Sequence, residues 1–250
     1  MPGLPGADSS VPVTTHIGGQ TLVDLARAQF EQPPVFWGRY FSPGADSFAE
    51  YTHLTENNIL RNDNIKLLPI AQQTKNVNLT YSNGAGDAEA NVTDMINTFG
   101  VQFLSDLEED IYMFLDVEGA PSLSIEYYEG WSTNIVSFSK RKLGGRAIQP
   151  CVYATQGDTV TWNSVRSAVN SGKATFFGAW VAEWPVSGCH PLPDWKRLRH
   201  IPLPDGGKVL IWQYANDCHG SGGFDCSVTN PNIDADSDLL NHLILPPMVS

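Results

Sequence analysis

The sequence predicts an α/β protein, a (β/α)8 barrel whose last strands are irregular. Three observations predict it. Strand-like and helix-like runs alternate along 250 residues. One run, Ile111 to Glu118, is apolar almost without a break, as a strand covered on both faces must be. A doubly wound open sheet would carry a glycine-rich phosphate loop after its first strand, and Gly18-Gly19 is too little for one.

Taken in order, 1–10 is rich in Pro, Gly and Ser and reads as a flexible leader ahead of a single barrel domain, 11–250. Val11 to His16 is the expected first strand, and Thr21 to Phe30 a helix with Leu22, Leu25 and Ala26 on one side. Pro34 to Phe41 reads as the second strand, stopped by the Pro-Gly turn at 42–44. A short helix over 54–60 precedes the third strand, Ile65 to Gln72. Ala88, Val92, Met95, Ile96 and Phe99 make one apolar stripe, which predicts a helix over 87–99. Ile111 to Glu118 is the fourth strand. A long helix over 124–143 ends at Gly144-Gly145. Arg146 to Ala154, Ala174 to Glu183 and Val209 to Tyr214 follow as strands five to seven, with a helix over 158–169. A proline-rich insert occupies 184–208, and 231–236 is a short eighth strand or turn.

In such a barrel, chemistry gathers where the strands end. Asp116 and Glu118 are two residues apart, so on a strand they face the same side. Paired carboxylates at the end of a buried strand are costly to desolvate and suit acid/base work. The other strand ends offer Arg39, Gln72, Tyr153, Trp180, Glu183, Trp212, Gln213, Tyr214 and Asp234. Acids and aromatics on one rim suit a sugar, which has apolar ring faces and many hydroxyls. Arg39 in an apolar strand needs a carboxylate or a ligand.

The stretches FLDVEG (114–119), GAWVAEW (178–184), IWQYA (211–215) and IDAD (233–236) resemble successive strand motifs of glycoside hydrolase family 25 lysozymes. A related family, the bacterial glycoside-hydrolase-like domains of unknown function, resembles the chain at GRYF (38–41), LTENN (54–58), IKLLPIAQQ (65–73), GDAEANV (86–92) and IYMFLDVE (111–118). The resemblance implies a TIM-type barrel acting as a muramidase-like hydrolase of β-1,4-linked amino-sugar polymers such as peptidoglycan. It implies Glu118 as proton donor, Asp116 as the stabilising carboxylate, and Asp234 as the last-strand acid. One departure stands out. Those lysozymes carry an aspartate at the end of the first strand, and Val11 to Gly18 contains no acid. That favours an alternative, a barrel of the same fold that binds a glycan without cutting it; a third reading is a barrel whose rim serves a protein partner, with Trp195 in the insert as an anchor.

Composition removes other classes. With 15 Lys and Arg against 27 Asp and Glu, the net charge is −12, which argues against nucleic acid. No run is long and apolar enough to span a bilayer, and 1–10 lacks the pattern of a signal peptide. A cell-wall target nevertheless implies action outside the cell or in its envelope. No organic cofactor or metal is expected, and a monomer is. Cys218 and Cys226 flank a glycine-rich loop and are the candidate disulfide pair; the alternatives are free buried thiols or, least favoured because no C-x-x-C or H-x-x-H spacing is present, a metal site.

Overall fold

The computed structural model describes residues 3–41, 50–73, 76–118 and 121–249, apart from the side chains of 185 and 186. The breaks expected at 42–44 and at 119–120 lie outside the described residues. Eight strands close into a barrel: β1 (Pro5–Asp8), β4 (Phe36–Tyr40), β5 (Lys66–Gln72), β6 (Ile111–Val117), β7 (Ile148–Thr155), β8 (Ala179–Ser187), β9 (Val209–Cys218) and β10 (Phe224–Thr229). A small hairpin, β2 (His16–Ile17) and β3 (Gln20–Thr21), stands apart. From β1 through β4 to β9 all neighbours are parallel, while β10 runs antiparallel to both β9 and β1. The barrel is therefore mixed, and β10 joins β9 by a tight hairpin.

Three sequence expectations are corrected here. Residues 5–8, read as a leader, form β1 and are fully in the wall. Gly6 makes this possible: a Cβ there would lie 2.1 Å from the Phe36 ring. Val11 to His16 is a loop leading into the hairpin rather than a strand. The eighth strand is β10, which begins inside the stretch read as a cysteine-flanked loop; of the two readings of 231–236, strand or turn, the structure has the turn, leading into a one-turn helix, α7 (Ala235–Asp238).

The helices cover the barrel as their sequences dictate. In α1 (Leu22–Phe30) Thr21 and Asp24 form a capping box, which satisfies amides the first turn leaves open. A second box, Thr80 with Asn83, starts α3 (Tyr81–Phe99) about two turns before its apolar stripe begins. Ser124 caps α5 (Ile125–Lys142), which ends in Lys140, Arg141 and Lys142, favourable at a helix C-terminus. α3 and α5 cross at Gly84 and Gly130, where any Cβ would strike the other backbone at 2.1–2.2 Å. α2 (His53–Asn62), α4 (Val101–Ser105) and α6 (Thr159–Asn170) complete the layer, and none connects β8 to β9. Among the described residues no helix is long and apolar enough to cross a membrane.

Strand alternation divides the core in two. One set, including Trp37, Leu67, Met113, Val152, Trp212 and Tyr214, packs between barrel and helices. The other, including Phe36, Leu68, Phe114, Tyr153 and Trp180, fills the barrel and is closed at the far mouth by Leu239, Leu240 and Leu243.

Candidate active site

Four carboxylates meet where the parallel strands end. Asp116 is the inward residue near the end of β6 and is 1 % exposed. Glu118 follows just past the strand. Asp8 ends β1, and Asp225 lies opposite it at the start of the antiparallel β10. Like charges directly across a strand pair are unfavourable, so nothing in the fold's own stability calls for this pair. Burial, then Asp225, pushes the Asp8 carboxyl well above its ordinary range, with smaller pushes from Glu118 and Asp116. Burial, then Glu118, does the same to Asp116. Burial raises the Glu118 carboxyl. Asp225 is pushed up to about 7, chiefly by burial, against the Asp217 amide that donates to it at 2.8 Å. Clusters of raised carboxylates in a cleft are found at acid/base sites, which makes this rim the candidate. A cavity of about 150 Å3 opens among Asp8, Ser9, Tyr40, Glu118, Asp217 and Asp225.

One residue ties the acids together. Gln213, inward on β9, accepts from Tyr153 Oη and from Trp184 Nε1, each at 2.7 Å. Its Nε2 lies 3.0 and 3.1 Å from the two Asp8 oxygens and 3.2 Å from Asp225 Oδ2. Tyr153 also hydrogen-bonds Glu118. Beneath, Gln72, Asp116, Tyr153 and Trp180 are register neighbours on β5 to β8. Gln72 Nε2 and Asp116 Oδ1 are buried with no hydrogen-bond partner among the described residues. In a native core such atoms need an explanation, and a bound polar group is one. Gly38 leaves room for the cluster: a Cβ there would lie 2.7 Å from Asp8 Cβ.

The structure thus brings together Asp116, Glu118, Gln72, Tyr153 and Gln213 of the residues singled out from sequence. It places the others elsewhere. Arg39 points outward, fully buried, and pairs with Glu56 of α2 at 2.9 Å while donating to the Ser9 carbonyl. Trp212 and Tyr214 flank inward Gln213 and so face the helix layer, where Trp212 donates to the Glu183 carbonyl and packs against half-buried Trp195. Glu183 is also outward and meets exposed Arg199 at 3.4 Å. Trp180 is inward but sealed, 1 % exposed, and forms a floor against Tyr153. Asp234 caps α7 beyond the far end of β10, at the opposite mouth. The last-strand acid at this rim is Asp225.

Sequence reasoning missed Asp8, Asp225 and the role of Trp184, the exposed aromatic that reaches the hub. The disulfide also differs: Cys189 is bonded to Cys218, while Cys226 and Cys151 are free and buried. Phe224, not Cys226, is the register partner of Cys218, and the bulge between them turns Cys226 toward Ala215. Burial, with Asp225 next, pushes the Cys226 thiol up to about 12. Among the described residues the one group of metal-ligand type atoms within 4.8 Å is Cys189, Cys218 and His219, and its two sulfurs are the disulfide.

No protein-family model matches the chain, and no curated protein matches it. Two solved structures share its fold. An uncharacterized B. stearothermophilus protein is 19% identical with a TM-score of 0.65, over 97% of this chain and 100% of that one. The catalytic domain of endolysin ply40 from bacteriophage P40 of Listeria monocytogenes is 13% identical with a TM-score of 0.58, over 96% and 98%. At these identities the likeness is one of fold.

Proposed function

We propose that the chain is a glycoside hydrolase of the muramidase type, cutting β-1,4-linked amino-sugar polymer such as peptidoglycan, on a barrel that is an irregular TIM-type variant. The observation that carries this reading is the cluster of Asp8, Asp116, Glu118 and Asp225 on one rim, buried and pushed toward protonation. The fold shared with an endolysin catalytic domain is consistent with it.

Glu118 gives its proton to the glycosidic oxygen as the bond to the sugar breaks. Its burial raises the carboxyl above its ordinary range, the direction a proton donor needs. Asp116 stabilises the oxocarbenium-like centre, directly or by orienting a substrate acetamido group that attacks it. Its unpaired Oδ1, with the unpaired Gln72 Nε2 beside it, suits such a group, one offering an acceptor and the other a donor. Asp8 and Asp225 face the cavity beside Glu118, where a centre that becomes positive would favour their ionised forms. Trp184, 37% exposed at the rim, offers a face for a sugar ring. The alternative of a barrel without chemistry was favoured by a first strand lacking an acid; an acid at the end of β1, Asp8, supports the catalytic reading instead.

The test is release of reducing ends from purified peptidoglycan and from chitin oligomers, wild type beside Glu118→Gln. The reading requires release by the wild type and a loss of about 10²–10⁴-fold in the variant. Binding without release by the wild type, from acid to neutral pH, sinks it.

A further inference from the structure

The Gln213 hub carries an inference about how protons are shared in this site. Trp184 Nε1 is a donor only, so the Gln213 atom it meets at 2.7 Å is the carbonyl oxygen. The nitrogen therefore faces Asp8 and Asp225. Tyr153 contacts both that carbonyl oxygen, at 2.7 Å, and Glu118 Oε1. A phenol has one proton, and an amide oxygen has none to give. Tyr153 must donate to Gln213 to satisfy that contact. Its contact with Glu118 is then satisfied only if Glu118 carries a proton and donates it to the Tyr153 oxygen. On the other side, the amide N–H groups favour the ionised forms of Asp8 and Asp225.

We propose that Gln213 is a positioning residue that sorts protons among the carboxylates, keeping Glu118 protonated through Tyr153 and weakening the hold of Asp8 and Asp225 on theirs through its amide nitrogen. The use of that proton in catalysis rests on the glycosidase reading; the sorting itself does not. The groups that face the hub are Asp8 on β1, Tyr40 on β4, Asp116 and Glu118 at β6, Tyr153 on β7, and Asp217 and Asp225 at the β9–β10 hairpin. The Gln213 amide opposes the rise that burial imposes on Asp8. Gln213 itself is 1 % exposed, so water does not compete for these bonds.

The experiment is a carboxyl-detected NMR titration of the intact protein with ¹³C-labelled Asp and Glu. In Gln213→Met the Tyr153 proton is released to Glu118 and the amide donors are lost. Glu118 then titrates lower and Asp8 higher than in the wild type, each by on the order of one pH unit. A purely structural role would admit water and lower both together. That outcome, or no movement in either, overturns the proposal. Tyr153→Phe provides a second arm should Gln213→Met not fold. Removing the acceptor of the Glu118 proton lowers the Glu118 midpoint; a rise would mean that Tyr153 donates to the carboxylate, and the proposal fails. Neither titration requires turnover, so the result stands apart from whether the wild type cuts glycan.

Discussion

Asp116 and Glu118 were legible in the sequence because a long apolar strand delivers them to a rim two residues apart. Asp8 was not, because β1 is four residues of Pro, Gly, Ala and Asp with no apolar alternation. Its place in the wall depends on Gly6 fitting over Phe36, a tertiary fact. Asp225 was hidden for a related reason, since the strand bearing it follows Gly222-Gly223 and reads as part of a loop. Two predictions belong at this scale. Gly38→Ala places a methyl against Asp8 Cβ, so hydrolysis falls at least tenfold while the circular dichroism spectrum stays that of the wild type. The second concerns pH. Asp225 is raised from 3.8 to about 7 in the folded chain, so folded protein holds a proton that unfolded protein has lost. Its contribution to stability is full below about pH 4 and is lost as pH rises through about 7. Melting curves across that range should show a shallower decline for Asp225→Asn than for the wild type.

The elements themselves were mostly readable, since helix stripes and buried strands announce their period. The facing of individual side chains was less so. Trp212, Gln213 and Tyr214 are consecutive on one strand, so they cannot all reach one site, and the structure selects Gln213. Trp180 and Trp184 likewise share a parity that excludes Glu183. Arg39 illustrates the same point at the level of an element. It holds α2 against the barrel, because Glu56 also accepts from the amides of Val13 and Thr52. Removing one partner of a fully buried pair leaves the other unpaired, so Arg39→Met should cost about 3–5 kcal/mol in urea unfolding. The small activity change of the surviving folded fraction would separate it from a site residue. The Cys189–Cys218 bond joins the segment after β8 to the end of β9, close to the hairpin that carries Asp217 and Asp225. Non-reducing peptide mapping should recover that pair, with Cys226 alkylated only after unfolding. Recovery of a Cys218–Cys226 peptide would contradict the structure.

At the scale of the molecule, the two mouths of the barrel have different work. The far mouth is stopped by Leu239, Leu240 and Leu243, and Lys66 donates to the Leu240 carbonyl there. The near mouth holds the carboxylates over a floor of Trp180, Tyr153 and Phe114. A reversed last strand is what makes this possible: because β10 starts at the near mouth, Asp225 enters the site, and Asp234, past its end, is carried to the other side. Strand direction is a property of closure and could not be read from the segment alone.

The proposed division of the molecule between a mouth that holds the acting carboxylates and a closed one is tested most directly by the two aspartates it separates. The measurement is reducing-end release from peptidoglycan by wild type, Asp8→Asn and Asp234→Asn, each checked for folding by its melting temperature. The account predicts activity in the wild type, its retention in Asp234→Asn, and a loss of at least tenfold in Asp8→Asn. Full activity in Asp8→Asn, or a loss confined to Asp234→Asn, would contradict it.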